Sequence, residues 1–216
     1  MDLEGQLSER QEAGMVFDEA GAMARISALE AEVEALRREL KEKDEVISKA
    51  ADEKNRMIDS DPLTGLANRR YFMEMLTKGV SFARRSNLPL SVVMCDLDNF
   101  KFIIDTYGHD TADRIMVMFA EIFNRFTRTE DVVARVGNDE FMIMLPNTLP
   151  EHAITCAERM SDTMKKLTVE GVAARLSASF GVTAFKDTDS EESLVKRVDD
   201  ALFKAKGGGI NKVAAI

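Results

Sequence analysis

The sequence predicts an α/β (α+β) domain with a largely antiparallel sheet, preceded by an N-terminal coiled-coil helix. Three observations predict it. From Ile26 to Met57 the seam residues step by three and four, as the core positions of a heptad repeat do. Asp59-Ser60-Asp61-Pro62 then marks a helix boundary, because proline removes a backbone donor and clashes with the preceding turn. Beyond it, short apolar runs bounded by turn residues alternate with helical patterns, which builds a layered mixed fold.

The elements follow in order. Residues 1–25 carry Gly5, Gly14 and Gly21 and a poorer pattern, and read as a frayed or poorly ordered segment. Residues 26–58 form the stem, with Ile26, Leu29, Val33, Leu36, Leu40, Lys43, Ile47, Ala50, Lys54 and Met57 on the seam. Lys43, Ala50 and Lys54 weaken its lower half; a switchable dimer stem and an inert spacer both remain open. No sensory domain is read ahead of the stem, so an input would reach it through the N-terminal segment or a partner. Residues 59–216 form the second domain. A helix is expected from Asn68 to Arg85, a loop at Ser86-Asn87-Leu88-Pro89 and a buried strand from Ser91 to Asp96. A short helix over Asn99 to Thr106, a break at Tyr107-Gly108-His109-Asp110 and a long helix from Thr111 to Phe126 follow. Asp131 to Arg135 and Glu140 to Leu145 pair as a hairpin. A helix from Pro150 to Leu167, a strand within Ala173 to Ala184 and a helix from Ser190 to Lys206 complete the chain, with Gly207-Gly208-Gly209 as terminator.

Composition narrows the function classes. The 216 residues carry a formal charge of −9, which disfavours a nucleic acid polymer as partner. Cys95 and Cys156 lack zinc-type spacing and fit a reducing, cytoplasmic setting. No apolar run approaches the ~20 residues of a membrane span, and the acidic start is not a signal peptide.

The chemistry concentrates at two acidic tips. Asp96-Leu97-Asp98 ends an apolar run, and Asn138-Asp139-Glu140 sits in the hairpin turn. Carboxylates on neighbouring strand ends can hold Mg²⁺ against a nucleotide triphosphate. The same residues could also serve as a strand-end cap and ordinary turn formers.

Four motifs in order resemble the GGDEF domain family: Asp61-Pro62-Leu63-Thr64-Gly65-Leu66-Ala67-Asn68-Arg69-Arg70; Asp96-Leu97-Asp98-Asn99-Phe100-Lys101 with Tyr107-Gly108-His109-Asp110 and Asp113; Gly137-Asn138-Asp139-Glu140-Phe141; and Asp200 to Lys206. The resemblance implies a palm-like, ferredoxin-like βαββαβ nucleotide-cyclase core. Two such domains, each carrying one GTP, condense them to cyclic di-GMP and pyrophosphate. That need for two half-sites fits a dimer held by the stem. By resemblance, Asp96, Asp139 and the backbone carbonyl of Leu97 hold Mg²⁺. Asp139 helps activate the attacking 3′-hydroxyl with Glu140 beside it. Phe100 and Lys101, at a helix start, and Lys206 hold phosphates, and Asp113 accepts from the guanine edge. Lys101 and Lys206 also read as solvated lysines, and His109 as a hydrogen-bonded turn residue.

The chain departs from the family at nucleotide-contacting positions. Ile104 replaces an asparagine that reads guanine, and Ile210 an arginine that contacts phosphate. Asn138 replaces the second glycine of the turn, where asparagine tolerates positive φ; its side chain would intrude on the nucleotide. Ala112 replaces a further glycine. Arg128-Thr129-Glu130-Asp131, by contrast, matches the RxxD motif that binds cyclic di-GMP in the family, and Arg84 or Arg85 is the expected second arginine. Three readings follow: a degenerate domain that binds cyclic di-GMP through Arg128 and Asp131 and acts through its stem or a protein partner; an active or weak, product-inhibited diguanylate cyclase; and a nucleotide-independent scaffold.

Overall fold

The computed structural model describes residues 19–216, with the side chains of residues 19–20 and 48–57 outside the description. The segment expected over residues 1–25 therefore lies outside the described residues as far as residue 18, and so do the side chains of Ala50, Lys54 and Met57. The chain divides into two units, Met1–Lys54 and Asn55–Ile216.

Helix α1 runs unbroken over Glu19–Asp59. The seam residues Ile26, Leu29, Val33, Leu36, Leu40 and Ile47 are all exposed on it. Polar residues are stitched along the helix by Arg37–Glu34 at 2.9 Å and Lys43–Glu39 at 2.6 Å, spacings that place side chains on adjacent turns. The helix stops where Asn68 Nδ2 donates to the carbonyl of Ile58 at 2.6 Å and Arg70 pairs with Asp59, so a terminal carbonyl finds a partner in the second unit's own chain.

In the second unit β1 (Ala67–Asn68) leads into α2 (Arg69–Ser86), whose first turn is capped by Asn68 accepting from the Tyr71 N–H. Strand β2 (Leu90–Leu97), α3 (Phe100–Tyr107), α4 (His109–Phe126), β3 (Val132–Arg135), β4 (Glu140–Pro146), α5 (Pro150–Met164), β5 (Ala178–Ala184), α6 (Glu191–Gly207) and β6 (Val213–Ala215) follow. The six strands order as β1-β3-β4-β2-β5-β6. The β3-β4-β2-β5 centre is antiparallel and both edge pairs are parallel.

Strand β2 lies at the middle of the sheet and is buried at every residue, which is why its sequence reads as one apolar run rather than an alternation. Side chains still alternate between faces. Val93, Cys95 and Leu97 pack with α3, α4 and α5 through Ile103, Phe119 and Met160. Leu90, Val92 and Met94 pack with α2 and α6 through Phe72, Leu76 and Leu202. Each such side chain contributes about 1.5–3 kcal/mol when fully buried.

Some boundaries differ from expectation. The strand expected from Ala173 begins at Ala178, because Leu176 enters the core and Ser177 bonds Asp98 instead of extending the ladder. Helix α4 begins at His109 because the break needs only Gly108, at φ 81°. Helix α5 ends at Met164 and closes through a tight turn, the Leu167 N–H donating to the carbonyl of Met164. The two- and three-residue edge strands β1 and β6 were not anticipated.

Helix α6 sits directly on β5 at Gly181, where an added methyl would lie 2.5 Å from the carbonyl oxygen of Val198 and also meet the backbone of Leu202. Backbone cannot yield as a side chain can, so Gly181→Ala is expected to lower unfolding stability by about 1–3 kcal/mol. Gly79→Ala, whose methyl meets only the movable end of Met144, is expected to cost less. Denaturant midpoints of the two variants check the difference; equal midpoints would contradict it.

Candidate active site and ligand cleft

The β2 register creates the acidic strip. Asp96 lies opposite Glu140 on one side and Ser179 on the other. The next rung is closed by the Leu97 N–H donating to the carbonyl of Asp139 at 3.2 Å. The two acidic tips, forty-odd residues apart in sequence, are therefore neighbours at one end of the sheet. The last turn of α6 delivers Lys206, whose Nζ is 2.5 Å from Asp96 Oδ1. Burial pushes the Asp96 carboxyl above its ordinary range; the Lys206 ammonium opposes this and the charges of Asp139 and Glu140 add to it. Full burial likewise pushes the Cys95 thiol well up, which leaves it an inert core residue.

Asp98 has a different role from Asp96. Its carboxylate accepts from Ser177 Oγ at 2.6 Å, Ser179 Oγ at 2.7 Å and the Asn211 N–H at 2.7 Å. It is committed to holding β5 and the segment after α6, and so fixes where Ile210 stands.

The fit of a divalent cation rests on the Asp96 and Asp139 carboxylates. Among the described residues no group of three or more His, Cys, Asp or Glu side chains is arranged around a common point. A partly buried carboxylate with two further carboxylates as its electrostatic neighbours is nevertheless suited to Mg²⁺, which commonly takes one or two carboxylates and fills its shell with phosphate oxygens and water. The residues present fit the ion.

The other expected contacts are spread around the strip. Phe100 is buried in the core and contributes only backbone at the start of α3, while Lys101, His109 and Asp113 are exposed. Lys101 and Asp113 form no ion pair among the described residues. Ile104 is half-buried against the main core, and Ile210 is 59% exposed. Asn138 is exposed at the turn tip. It does not use the positive φ that asparagine tolerates: among the described residues the asparagines in that region are Asn87, Asn99, Asn147 and Asn211. The turn is held instead by Arg135, which donates to the Asn138 carbonyl at 2.7 Å and pairs with Asp61 at 3.4 Å. Hydrogen bonds from Thr64 and the Arg135 charge outweigh burial at Asp61 and keep its carboxyl below the usual range. A methyl added at Gly137 would lie 2.5 Å from Glu140 Oε2, so the Glu140 side chain would have to swing aside.

A second concavity lies at the far end of β3. A cleft of about 630 Å³ is lined by Gly65, Leu66, Tyr71, Met75, Asn124 and the stretch from Thr127 to Val133. At its wall Asp131 Oδ2 accepts the Arg128 N–H at 2.7 Å, while Oδ1 is buried with no hydrogen-bond partner. Burial pushes the Asp131 carboxyl up, against the Arg128 N–H and charge. Arg84, a candidate for the second arginine, donates to the Asp189 carbonyl at 2.8 Å and stacks on Phe185. Neither it nor Arg85 lines the cleft. Sequence reasoning missed Arg159 of α5, which lies over the Phe126 ring at 5.1 Å. Burial pushes the Cys156 thiol up; Asp131 adds to this, and Arg159 and Arg128 oppose it. Arg159 is not among the residues that line the cleft. Its only sequence signal was a position one helical turn beyond Cys156, which no local motif marks.

Comparisons with known proteins agree with this geometry. The profile of the family described as "Diguanylate cyclase, GGDEF domain" matches residues 58–212. Diguanylate cyclase DgcM of Escherichia coli K12 is 36% identical over 155 residues, covering 72% of this chain and 38% of that protein. Diguanylate cyclase A of Treponema denticola is 34% identical over 163 residues, covering 73% of this chain and 44% of that protein. The chain thus spans less than half the length of these curated relatives. The coiled coil and GGDEF domain of DgcB from Caulobacter crescentus, solved in complex with c-di-GMP, superposes with a TM-score of 0.75 at 26% identity, covering 90% of this chain and 99% of that one. Diguanylate cyclase SiaD of Pseudomonas aeruginosa, solved with its activator SiaC, gives 0.69 at 30% identity, covering 98% of this chain and 86% of that one. Matched over residues 58–212 by profile, and with the acidic strip built by the same ordered motifs, this chain belongs to the GGDEF domain family of diguanylate cyclases.

Proposed function

We propose that the chain is a cytoplasmic cyclic di-GMP signalling protein whose working ligand site is the cleft at Arg128 and Asp131. The observation that carries this reading is the buried, unpartnered Oδ1 of Asp131. A buried acceptor left unpaired costs free energy; a guanine edge presents N–H donors that would satisfy it once a shift of the cleft wall exposes it. The exposed Arg128 guanidinium supplies charge for a phosphodiester. The DgcB structure, a relative bound to c-di-GMP, is consistent with such a ligand.

The GTP site supports turnover less well. A half-buried Ile104 offers guanine no donor or acceptor, at about 1–3 kcal/mol for each base group left unpaired. Ile210 stands on the segment that Asp98 anchors, where an arginine would reach phosphate. A second reading, an active or weak cyclase inhibited by its product, is favoured by the intact acidic strip. In it Asp96, Asp139 and the Leu97 carbonyl would hold Mg²⁺, whose charge would offset that of the triphosphate. Asp139 and Glu140 would draw the proton from the 3′-hydroxyl, Lys101 and Lys206 would hold phosphate oxygens, and Asp113 would accept from guanine. Both readings use the Arg128 cleft; they diverge in turnover.

The stem is the proposed dimer contact, and its charges specify how the helices pair. With Ile26, Val33, Leu40 and Ile47 at a and Leu29 and Leu36 at d, three β-branched residues of four at a and leucine at d favour two parallel strands. In parallel register Arg25 meets Glu30 of the second copy and Glu32 meets Arg37, both attractive. One heptad on, Glu39 meets Asp44, which is repulsive and coincides with Lys43 at d. The stem is thus firm at its start and loosened toward the domain, a graded path along which a signal can pass to the GGDEF unit or to a protein partner.

Calorimetry is expected to show cyclic di-GMP binding that weakens about 10- to 100-fold in Arg128→Ala, the worth of a charge-assisted contact. Absent binding, or binding indifferent to the substitution, would sink the receptor reading. For the stem, Glu32→Lys is expected to weaken dimerisation roughly tenfold by sedimentation equilibrium, and Glu32→Lys with Arg37→Glu to restore it. Single and double variants dimerising alike would exclude the parallel register.

A further inference from the structure

The Lys206–Asp96 pair has a consequence beyond phosphate binding. Asp96 is buried to 8% exposure, and its Oδ1 faces Nζ at 2.5 Å. Asp139 and Glu140 stand beside it through the β2–β4 register. Among the described residues Lys206 is the cation this strip pairs with. Asp98, the remaining carboxylate at this end, is already occupied by Ser177, Ser179 and the Asn211 N–H. Three carboxylates at one sheet end repel one another, and a single ammonium lowers that cost.

We propose that Lys206 is a built-in competitor for the divalent cation: its ammonium occupies an oxygen of the Asp96 carboxylate that the metal needs, and metal binding favours its displacement. The inference rests on reading Asp96 and Asp139 as the metal carboxylates. A divalent ion on the Asp96 carboxylate and an ammonium at hydrogen-bond distance from its Oδ1 repel each other, so each weakens the other's hold on Asp96. The displaced lysine has somewhere to go. Its side chain is 43% exposed, and it sits in the last turn of α6 on a long flexible stem. Phosphate oxygens arriving with the metal would accept the ammonium. Nucleotide and metal would then assist each other's binding, and by linkage the assistance is reciprocal. Lys206 is thus a positioning residue, and in the nucleotide-free protein it weakens the metal site.

The test uses Mn²⁺ as a paramagnetic probe of the Mg²⁺ site, with the full chain and no nucleotide. Wild type, Lys206→Met, Lys206→Arg, and Asp96→Asn alone and combined with Lys206→Met, are titrated and bound Mn²⁺ is read from the electron paramagnetic resonance signal. Lys206→Met keeps the aliphatic stem, and unchanged circular dichroism checks that it folds. Mn²⁺ is expected to bind Lys206→Met about tenfold more tightly than wild type. Lys206→Arg, which retains a cation, is expected to resemble wild type, and Asp96→Asn to abolish the site in both backgrounds. Equal or weaker binding to Lys206→Met overturns the competition. Mn²⁺ binding that ignores Asp96→Asn, or no binding to Lys206→Met at all, overturns it together with the assignment of the metal carboxylates. Neither result touches the Arg128 cleft.

Discussion

The pairing register of β2 is the constraint on which both sites depend. This strand runs through the middle of the sheet with antiparallel partners on each side, buried on both faces. A slip of one residue would exchange its two side-chain faces, moving Val93, Cys95 and Leu97 out of one core and Val92 and Met94 out of the other. The same register sets Asp96 opposite Glu140. Asp98 then clamps the strand end to β5 and to the segment beyond α6. The clamp is local chemistry with a long reach, because it bonds a backbone N–H 113 residues further along the chain.

Electrostatic compromise follows from that geometry. Stability alone would not place Asp96, Asp139 and Glu140 together, and Asp96 is harder to ionise in the fold than in water. Lys206 moderates the cost without removing it. Such a strip is a place where stability is given up for a ligand that neutralises it. Around it, Ile104 and Ile210 are apolar at positions that, under the proposed reading, would face a base and a phosphate. Ile104 contributes to the core instead, and Ile210 contributes to neither. The cleft at the other end of β3 shows the opposite pattern, with polar groups in place and one carboxylate oxygen unanswered.

How much of this was legible in the sequence depends on range. The heptad seam and the Pro62 boundary are local patterns, and the structure ends α1 at Asp59 as they imply. The central strands were legible because burial on both faces leaves an unmistakable apolar run. Strands β1 and β6 were not, since two or three residues cannot display a period. The start of β5 was placed too early because Leu176 and Ser177 share its polarity but serve the core and Asp98. The ordered motifs located the acidic strip, yet the Lys206–Asp96 contact joins residues more than a hundred positions apart and has no sequence signature. Arg84 looked available until its partner, Asp189, proved to be 105 residues away, and Arg159 carried no motif at all. At Asn138 the tolerance of asparagine for positive φ goes unused, and the turn is held instead by the Arg135 latch.

The central claim is that the carboxylate strip survives while the contacts that read GTP do not. Cyclic di-GMP formation from GTP and Mg²⁺, measured for the wild-type protein and for the variant carrying Ile104→Asn and Ile210→Arg together, tests it most directly. The account predicts little or no product from the wild type and a gain of at least about tenfold in the variant, the equivalent of one restored contact. Wild-type turnover equal to that of the variant would contradict it.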